Sequence, residues 1–272
     1  MIIYKKRIRS NPHTKTYSAK WLHFNNLLTP RLHNVILKRH ARAATEKKLA
    51  EHLAQQTKAL GFANHFPKPI DTLCDSNQFA YYKLPAAPLY TSYPQLLRQN
   101  IKHRLHLFRD LLLVVKILHH SSIQLIHNDL SPGNILLRND SHEDKNKIII
   151  IDLADAQLFT SNKDHLFITK GKPHYSSPEQ RKGLTTTIPS DIFQLGCILF
   201  DLLFGKQFLD IHDCAQYTLE NLPQLHHPQL TVDVETTQWL CSKMLADEPS
   251  HRFQSINECI IGIDSLMNSA VI

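Results

Sequence analysis

A run of four isoleucines that ends in a carboxylate limits the possible folds of this chain more than any other feature. Residues Ile148–Ile151 are followed directly by Asp152. A short, continuous apolar run of this kind is typical of a strand that is buried on both faces. Such a strand needs a sizeable core around it. Its terminal Asp152 is then expected to emerge at the end of the strand, where ligands bind.

A second apolar segment, Leu125–Leu137, carries polar residues at its centre. Asp129 and Asn134 lie five residues apart, with apolar residues on both sides of the pair. Two oxygen-bearing side chains therefore share one short loop. Asn134 together with Asp152 supplies the hard oxygen ligands that suit Mg²⁺, and Asp129 remains as a candidate base. Lys38, which closes a short apolar run, is a candidate to reach a nucleotide phosphate.

The composition permits a globular protein of one large domain or two lobes. The 272 residues are 42% hydrophobic and 20% charged, which argues against global disorder. No apolar run reaches the ~18 residues of a membrane span, and the apolar start before Lys5 is too short for a signal peptide. The five cysteines are scattered and form no C-x-x-C pair. Reduced thiols in a cytoplasm are therefore expected.

The net charge of +7 is distributed unevenly along the chain. Residues 1–68 carry fourteen Lys and Arg but only two acids, Glu46 and Glu51. The remainder of the chain is net acidic, which favours two electrostatically different lobes. A basic half attracts phosphates, whether on nucleotides, nucleic acid or a membrane surface. The alternative is a basic face that is simply solvated.

Strand patterns dominate the first third of the chain, and helical patterns dominate the rest. Strands are predicted at 2–9, 16–24, 34–38, 70–74 and 79–84, and a helix at 42–60 that stops before Gly61. Three prolines from Pro85 to Pro94 predict a linker. Helical spacing of apolar residues then appears at 95–120, 191–204 and 236–246.

The chain resembles the eukaryotic-type serine/threonine protein kinases. Six segments match motifs of that family in the same order: Val35–Lys38 (V-A-I-K), His127–Asn134 (H-R-D-x-x-x-x-N), Asp152–Ala154 (D-F-G), Gly171–Glu179 (ending in A-P-E), Ser190–Gly196 (S-D-x-W-x-x-G) and Asp247–Arg252 (D-x-P-x-x-R). The resemblance implies an α+β, bilobal protein-kinase-like fold. One kinase domain would fill residues 1–272, with a small antiparallel-sheet N-lobe to about 84 and a mainly helical C-lobe from about 85.

The resemblance also implies ATP and Mg²⁺ as cofactors and Ser or Thr hydroxyls of proteins as substrates. A regulatory protein would be a further partner, and no nucleic acid or membrane span is expected. Asp129 would be the catalytic base, and Asn134 and Asp152 the metal ligands. Lys38 would bind the α- and β-phosphates and pair with a helix glutamate. Glu51 is favoured over Glu46 as that glutamate, although the residue one turn after Glu51 is the polar Gln55.

The adenine site follows from the same resemblance. Segment 79–85 is similar to the hinge between the lobes, with Tyr81 as gatekeeper. The backbone carbonyl of Tyr82 and the N–H of Leu84 would bond adenine, and the apolar residues that would surround the ring are Ile36, Leu136 and Ile151.

The chain departs from the family at several positions. Its first glycine is Gly61, so residues 9–14 replace the glycine-rich loop, and the cations Arg9 and Lys15 are expected to attract the phosphates instead. Asn128 replaces the arginine that meets a phosphorylated activation loop. Ser131 and Lys172 exchange a lysine and a threonine of the family, so Lys172 is predicted to supply the catalytic positive charge. The missing glycines leave two alternatives open, a pseudokinase that acts as a binding module and a small-molecule or lipopolysaccharide-sugar kinase.

Overall fold

A computed structural model describes residues 2–10, 14–24, 30–138, 148–159, 174–204 and 233–269. The chain divides into two compact units. The first comprises residues 1–86 and 138–156, and the second comprises residues 87–137 and 157–272. Because residues 138–156 belong to the first unit, the segment around Asp152 is part of the same unit as Lys38. The single kinase domain over 1–272 stays a prediction.

The first unit contains a four-stranded antiparallel sheet in the order β1-β2-β3-β4. Its strands are β1 (Ile2–Ser10), β2 (Lys15–Phe24), β3 (Pro30–Arg39) and β4 (Gln78–Tyr82). One face is covered by the segment around Ile70, which packs with the buried Trp21, Val35 and Leu37. Successive side chains of a strand point to opposite faces, and the pairing of β2 with β3 therefore places Trp21, Val35 and Leu37 on the same face.

Helix α1 (Ala43–Ala59) connects β3 to the rest of this unit. Ala43, Leu49, Ala50, Leu53 and Thr57 are buried with a helical period, so one stripe of the helix forms its packed face. Gly61 follows the helix with φ of +79°, a conformation that favours glycine. The predicted helix and its stop are confirmed.

Two predictions for residues 70–94 are wrong. Residues 70–74 do not form a strand, since Asp71–Leu73 is a single 3₁₀ turn and the backbone bond to β4 runs from the Ile70 N–H to Ala80 O. The proline-rich segment is not an unstructured linker, because β5 (Ala86–Pro88) is followed by α2 (Leu89–Leu96). Buried side chains at positions 89, 93 and 96 stabilise this helix by packing, which outweighs the hydrogen bond that Pro94 cannot donate.

The second unit is mainly helical. Its long helices are α3 (Ile101–Leu118), α5 (Ile188–Phe204), α6 (Val234–Leu245) and α7 (Ile256–Ser269), with a short α4 (Pro178–Arg181). The remaining strands, in chain order, are β6 (Leu125–Ile126), β7 (Ile135–Arg138), β8 (Ile148–Ile150) and β9 (Gln157–Leu158), of which β8 lies in the first unit. β6 pairs with β9 antiparallel.

Helix α5 forms the core of the second unit, since all its residues from Pro189 to Leu203 are buried. Helix α7 packs on α3 and α6 packs on α5. The predicted class, a small antiparallel sheet followed by a mainly helical region, is confirmed. Among the described residues, the helices are all too short or too polar to cross a bilayer.

Candidate active site

The ammonium group of Lys38 is held by two carboxylates in the first unit. Lys38 Nζ lies 2.9 and 3.0 Å from the two carboxylate oxygens of Glu46 and 2.6 Å from Asp152 Oδ1. Burial lowers the pKa of Lys38, but the two carboxylates outweigh burial and raise it, so the ammonium stays charged. Two carboxylates against one ammonium leave a net negative charge, which a divalent cation at Asp152 would offset.

The preference for Glu51 as the partner of Lys38 is wrong, because Glu46 occupies that position. Only His40, Ala41 and Arg42 separate β3 from α1, so the first turn of the helix already lies beside Lys38. Glu46 falls on the buried stripe of α1 and is 1% exposed. Glu51 lies on another face of α1, is 45% exposed and pairs with Lys47 at 3.4 Å.

His40 is a functional residue that the sequence reasoning missed. Its Nε2 lies 2.7 Å from Glu46 Oε2, and its side chain is 6% exposed. Because a carboxylate only accepts hydrogen bonds, the histidine nitrogen is the donor. The backbone N–H of Leu153 donates to the other oxygen, Glu46 Oε1, at 3.3 Å. Glu46 is thus fixed by three groups, and a histidine two residues after the lysine of a V-A-I-K segment was the available signal.

Asp152 has a backbone conformation in the left-handed region, with φ of +72°. Aspartate tolerates this region better than most residues do. In the described residues Ala154 is not among the positions with positive φ, so the alanine that replaces the family glycine introduces no such strain there. Arg42 anchors the same loop, since its Nη1 lies 2.5 Å from Asp155 Oδ1 and 3.4 Å from Ala154 O.

The second unit positions Asp129 and Asn134 together, as predicted from their spacing. The Asn134 amide donates through Nδ2 to Asp129 Oδ2 at 2.7 Å and to Asp129 O at 2.8 Å. Both bonds use the nitrogen, so Oδ1 of Asn134 is the atom suited to a metal ion. Asp129 remains partly exposed while Asn134 is 2% exposed.

The loop that carries Asp129 is fixed to α5 by buried hydrogen bonds. Asp191 accepts the backbone N–H groups of His127 and Asn128, each at 2.9 Å. One turn later, Gln194 accepts the N–H of Leu130 at 2.8 Å and donates to Asn128 O at 2.8 Å. The Asn128 backbone has φ of +65°, which asparagine tolerates well. These bonds fix the loop backbone to α5.

A buried ion pair between Arg252 and Glu179 also stabilises the second unit. Arg252 donates through Nη1 and Nη2 to the two oxygens of Glu179, both at 2.8 Å. Burial raises the pKa of Glu179, but hydrogen bonds from Arg252 and Ser190 outweigh burial and lower it. The pairing of Glu179 with Arg252, which the resemblance implied, is confirmed.

Comparison with known sequences agrees with this geometry. The family described as "Protein kinase domain" matches residues 92–261, more than half of the chain. The chain belongs to the protein kinase domain family. The match begins after β4, so the Lys38 network of this kinase chain is supported by geometry rather than by the family match.

Named relatives of this kinase chain are bacterial serine/threonine-protein kinases. PrkC of Bacillus subtilis is 30% identical over 152 residues, which are 54% of this chain and 22% of that protein. PknB of Mycolicibacterium smegmatis is 28% identical over 143 residues, 49% of this chain and 22% of that protein. The matched region thus spans about a fifth of the length of these curated relatives.

The residues proposed to bind adenine differ in how deeply they are buried in the kinase chain. Ile36 and Tyr81 are buried and lie opposite each other in the pairing of β3 with β4, on the face that carries Lys38. Tyr82 is exposed at the end of β4, and Leu84 is half-buried. Leu136 on β7 and Ile151 beside Asp152 are also half-buried. Their contacts with adenine stay a prediction.

The register of the strands places Arg9 and Lys15, the two cations expected to replace the glycine-rich loop, on opposite faces of the sheet. Arg9 lies opposite Thr16, which lies opposite Lys38, so Arg9 and Lys38 share one row and one face of the sheet. A bulge between Arg7 and Arg9 turns Arg9 to this face. Lys15 lies opposite Arg39 on the other face, so the expectation that Lys15 assists Lys38 is wrong. Residues 11–13 and Lys172 lie outside the described residues.

Glu46→Gln should lower kcat/KM for phosphoryl transfer about 100-fold, because Lys38 loses its buried carboxylate partner and shifts. Glu51→Gln is the matched control on the same helix and should change kcat/KM less than twofold. Steady-state kinetics with ATP as the varied substrate measures both. Equal losses in the two variants would contradict the assignment of Glu46.

His40→Phe should lower kcat/KM about tenfold, because the phenyl ring fills the space but donates no hydrogen bond to Glu46. His40→Gln should recover most of that loss, since its amide nitrogen has a similar reach. The melting temperatures of the two variants are compared alongside the kinetics. A role in packing alone predicts instead that phenylalanine is tolerated better than glutamine.

Arg9→Gln should weaken ATP binding by up to about fivefold at low salt, because an exposed cation contributes at most about 1 kcal/mol. The effect should fade at high ionic strength, where exposed charge is screened. Lys15→Gln, on the opposite face, should leave ATP binding at the Lys38 site unchanged. The KM for ATP in phosphoryl transfer, measured at two salt concentrations, tests the pair because it reports only ATP bound at that site. A larger loss in Lys15→Gln would refute the register argument.

Proposed function

We propose that this kinase chain transfers the γ-phosphoryl group of ATP to Ser or Thr hydroxyls of protein substrates. The observation that carries the proposal is the buried Lys38 ammonium between Glu46 and Asp152. A lysine held charged in this way is suited to bind phosphates, and the adjacent Asp152 carboxylate is suited to a metal ion. Bacterial relatives named as serine/threonine-protein kinases support the substrate class.

Asp129 is the residue that would act on the substrate hydroxyl. Its carboxylate accepts a hydrogen bond from Asn134, which fixes its orientation. In the transfer, the hydroxyl oxygen bonds to the γ-phosphorus and the bond from that phosphorus to the β-γ bridging oxygen breaks, so ADP leaves. Asp129 orients the hydroxyl and takes its proton. Positioning and charge neutralisation supply most of the acceleration in this reaction class.

Asp152 and Asn134 are the residues that would hold a magnesium ion. Both are hard ligands, and the excess negative charge around Lys38 favours a divalent cation. When bound, Mg²⁺ neutralises charge on the phosphate oxygens. Asp152 is held for this role by Lys38, and Asn134 by its bonds to Asp129.

Adenine would be bound by the segment from Tyr81 to Leu84. The carbonyl of Tyr82 and the N–H of Leu84 are the proposed hydrogen-bonding groups, with apolar contacts from Ile36, Leu136 and Ile151. Tyr81 is buried beside Lys38, and burial raises the pKa of its hydroxyl, so that hydroxyl stays protonated. A protonated Tyr81 adds no charge to the site.

We infer a reducing, cytoplasmic setting from the cysteines. In the part of the chain that the structure describes, no disulfide joins Cys74, Cys197, Cys241 and Cys259. Cys241 and Cys259 are buried, which is typical of structural thiols.

A pseudokinase is the second candidate, because the first 60 residues contain no glycine to let backbone N–H groups approach the phosphates. Incubation with radiolabelled ATP and Mg²⁺, with the chain itself and a generic protein as acceptors, separates the candidates. The proposed activity predicts label on serine or threonine. ATP binding in a thermal-shift titration without any transfer would support the pseudokinase, and transfer only to a sugar would support the small-molecule kinase.

A further inference from the structure

Four exposed cations surround Tyr17 on the face of the sheet opposite Lys38. Arg7 lies directly opposite Tyr17 in the β1–β2 pairing, and Lys15 lies opposite Arg39 in the β2–β3 pairing. Lys5 reaches over the Tyr17 ring, with its Nζ 3.8 Å from the ring centroid. We call Lys5, Arg7, Lys15 and Arg39 the Tyr17 cluster.

The Tyr17 cluster is compact. Adjacent strands lie about 4.8 Å apart, and alternate residues on a strand lie about 6.6 Å apart. The four Cα atoms therefore lie within a patch of about 13 by 10 Å, with Lys5 and Arg39 at opposite corners about 16 Å apart. The pKa of Lys5 is lowered, first by partial burial and then by the nearby charge of Arg39. The cluster therefore holds like charges close enough to repel one another.

No carboxylate in this part of the sequence offsets the repulsion. Residues 1–45 contain no Asp or Glu. Among the described residues, the ion pairs of this unit involve Lys38, His40, Arg42 and Lys47 and none of the cluster. Arg39 donates instead to a neutral group, Gln78 Oε1, at 3.1 Å. A cluster assembled in this way lowers its free energy by binding an anion.

We propose that the Tyr17 cluster binds a small soluble molecule that carries two or more phosphate groups. The guanidinium groups of Arg7 and Arg39 can each donate two parallel hydrogen bonds to the oxygens of one phosphate group. Lys5 and Lys15 add two further positive charges. This site is separate from the Lys38 face and does not depend on the proposed transfer activity.

The same contacts disfavour nucleic acid and lipid as ligands. Single-stranded nucleic acid uses exposed aromatic faces for base stacking, but Lys5 covers the Tyr17 ring. Membrane binding is strengthened by apolar side chains that enter the interface beside the cations. Leu32 is 53% exposed, but it lies on the Lys38 face of β3 and points away from the cluster. Ile8, at the bulge of β1, is 55% exposed beside the cluster, and a single apolar side chain adds little to membrane binding.

Calorimetric titration with tripolyphosphate tests the proposal on the full chain. Every chain that is titrated also carries Lys38→Met, so that polyphosphate binding at Lys38 does not contribute. No nucleotide is added, because its phosphates would themselves occupy the cluster. Lys5→Gln/Arg7→Gln should weaken tripolyphosphate binding about tenfold, which corresponds to about 1.4 kcal/mol for two exposed charges. Lys48→Gln/Lys68→Gln removes the same charge from exposed positions elsewhere in the unit and should change the affinity less than twofold.

A second double variant, Lys15→Gln/Arg39→Gln, should give the same tenfold loss and serves if the first does not fold. Phosphoryl transfer by Lys5→Gln/Arg7→Gln should match the unmodified chain, so failure of this site and failure of the proposed activity are told apart. Unchanged tripolyphosphate binding in both cluster variants overturns the proposal. An equal loss of tripolyphosphate binding in the Lys48→Gln/Lys68→Gln control also overturns it. The same holds if the chain binds an oligonucleotide or anionic lipid vesicles more tightly than tripolyphosphate.

Discussion

Asp129→Asn and Asp152→Asn should each reduce phosphoryl transfer about 1000-fold or more, with melting temperatures close to that of the unmodified chain. Asp129→Asn keeps an oxygen that accepts the bond from Asn134 but removes the group that takes the hydroxyl proton. Asp152→Asn keeps a residue that tolerates φ of +72° but removes a charged metal ligand. Radiolabelled transfer to a generic protein substrate measures both losses.

The two variants should differ in nucleotide binding. Asp152→Asn should abolish the magnesium dependence of ATP binding, whereas Asp129→Asn should retain it. Asp155→Asn is the matched control, because its carboxylate lies in the same loop, is 49% exposed and pairs with Arg42. It should keep most of the activity. Transfer at the unmodified rate in either Asp129→Asn or Asp152→Asn would remove these residues from the proposed site.

The sequence predicts a catalytic residue well where the residues that position it are its neighbours along the chain. Asp129 and Asn134 lie five residues apart on one loop, so their spacing alone brings them together. Asp152 lies two residues after the end of the buried strand β8, and the apolar run that precedes it marks that end. In both cases the residues that determine the geometry are neighbours in the sequence.

The partner of Lys38 could not be chosen in the same way, because it depends on where α1 begins. Both Glu46 and Glu51 fit a helix, and their positions differ by less than two turns. The residue one turn further along the helix distinguishes the two glutamates. One turn after Glu51 stands the exposed Gln55, whereas one turn after Glu46 stands Ala50, which is 2% exposed. The buried stripe of the helix therefore passes through Glu46.

The contacts of His40, Asp191 and Gln194 depend on tertiary packing and leave a weaker trace in the sequence. Asp191 was recognised as part of a motif, but its bonds to the backbone of residues 127 and 128 cross about 60 positions of sequence. The bulge that turns Arg9 toward Lys38 adds one residue to β1, and a single extra residue reverses the face of every side chain that follows. Patterns with a period of two cannot locate such an irregularity.

Arg252→Met should lower the free energy of unfolding by about 3–5 kcal/mol, because it leaves the buried Glu179 carboxylate without its charged partner. The arginine side chain is fully buried, and it also donates to the carbonyls of Ala246, Pro189 and Asp247 at 2.6–2.9 Å. Arg109→Met is the matched control. Arg109 forms an equally short ion pair with Asp264, but both side chains are about one third exposed, so the loss should be about 1 kcal/mol or less.

The pH dependence of unfolding distinguishes this ion pair from simple packing. The pKa of Glu179 is lowered in the folded chain, so its stabilising effect is complete above the unfolded pKa of about 4.3 and is lost as the pH falls through the folded value. The difference in unfolding free energy between the unmodified chain and Glu179→Gln should therefore be constant above about pH 5 and shrink below pH 4. Urea titrations at pH 7, 5 and 3.5 measure it. A difference that stays the same at all three pH values would mean that Glu179 stabilises the fold by its shape and hydrogen bonds rather than by its charge.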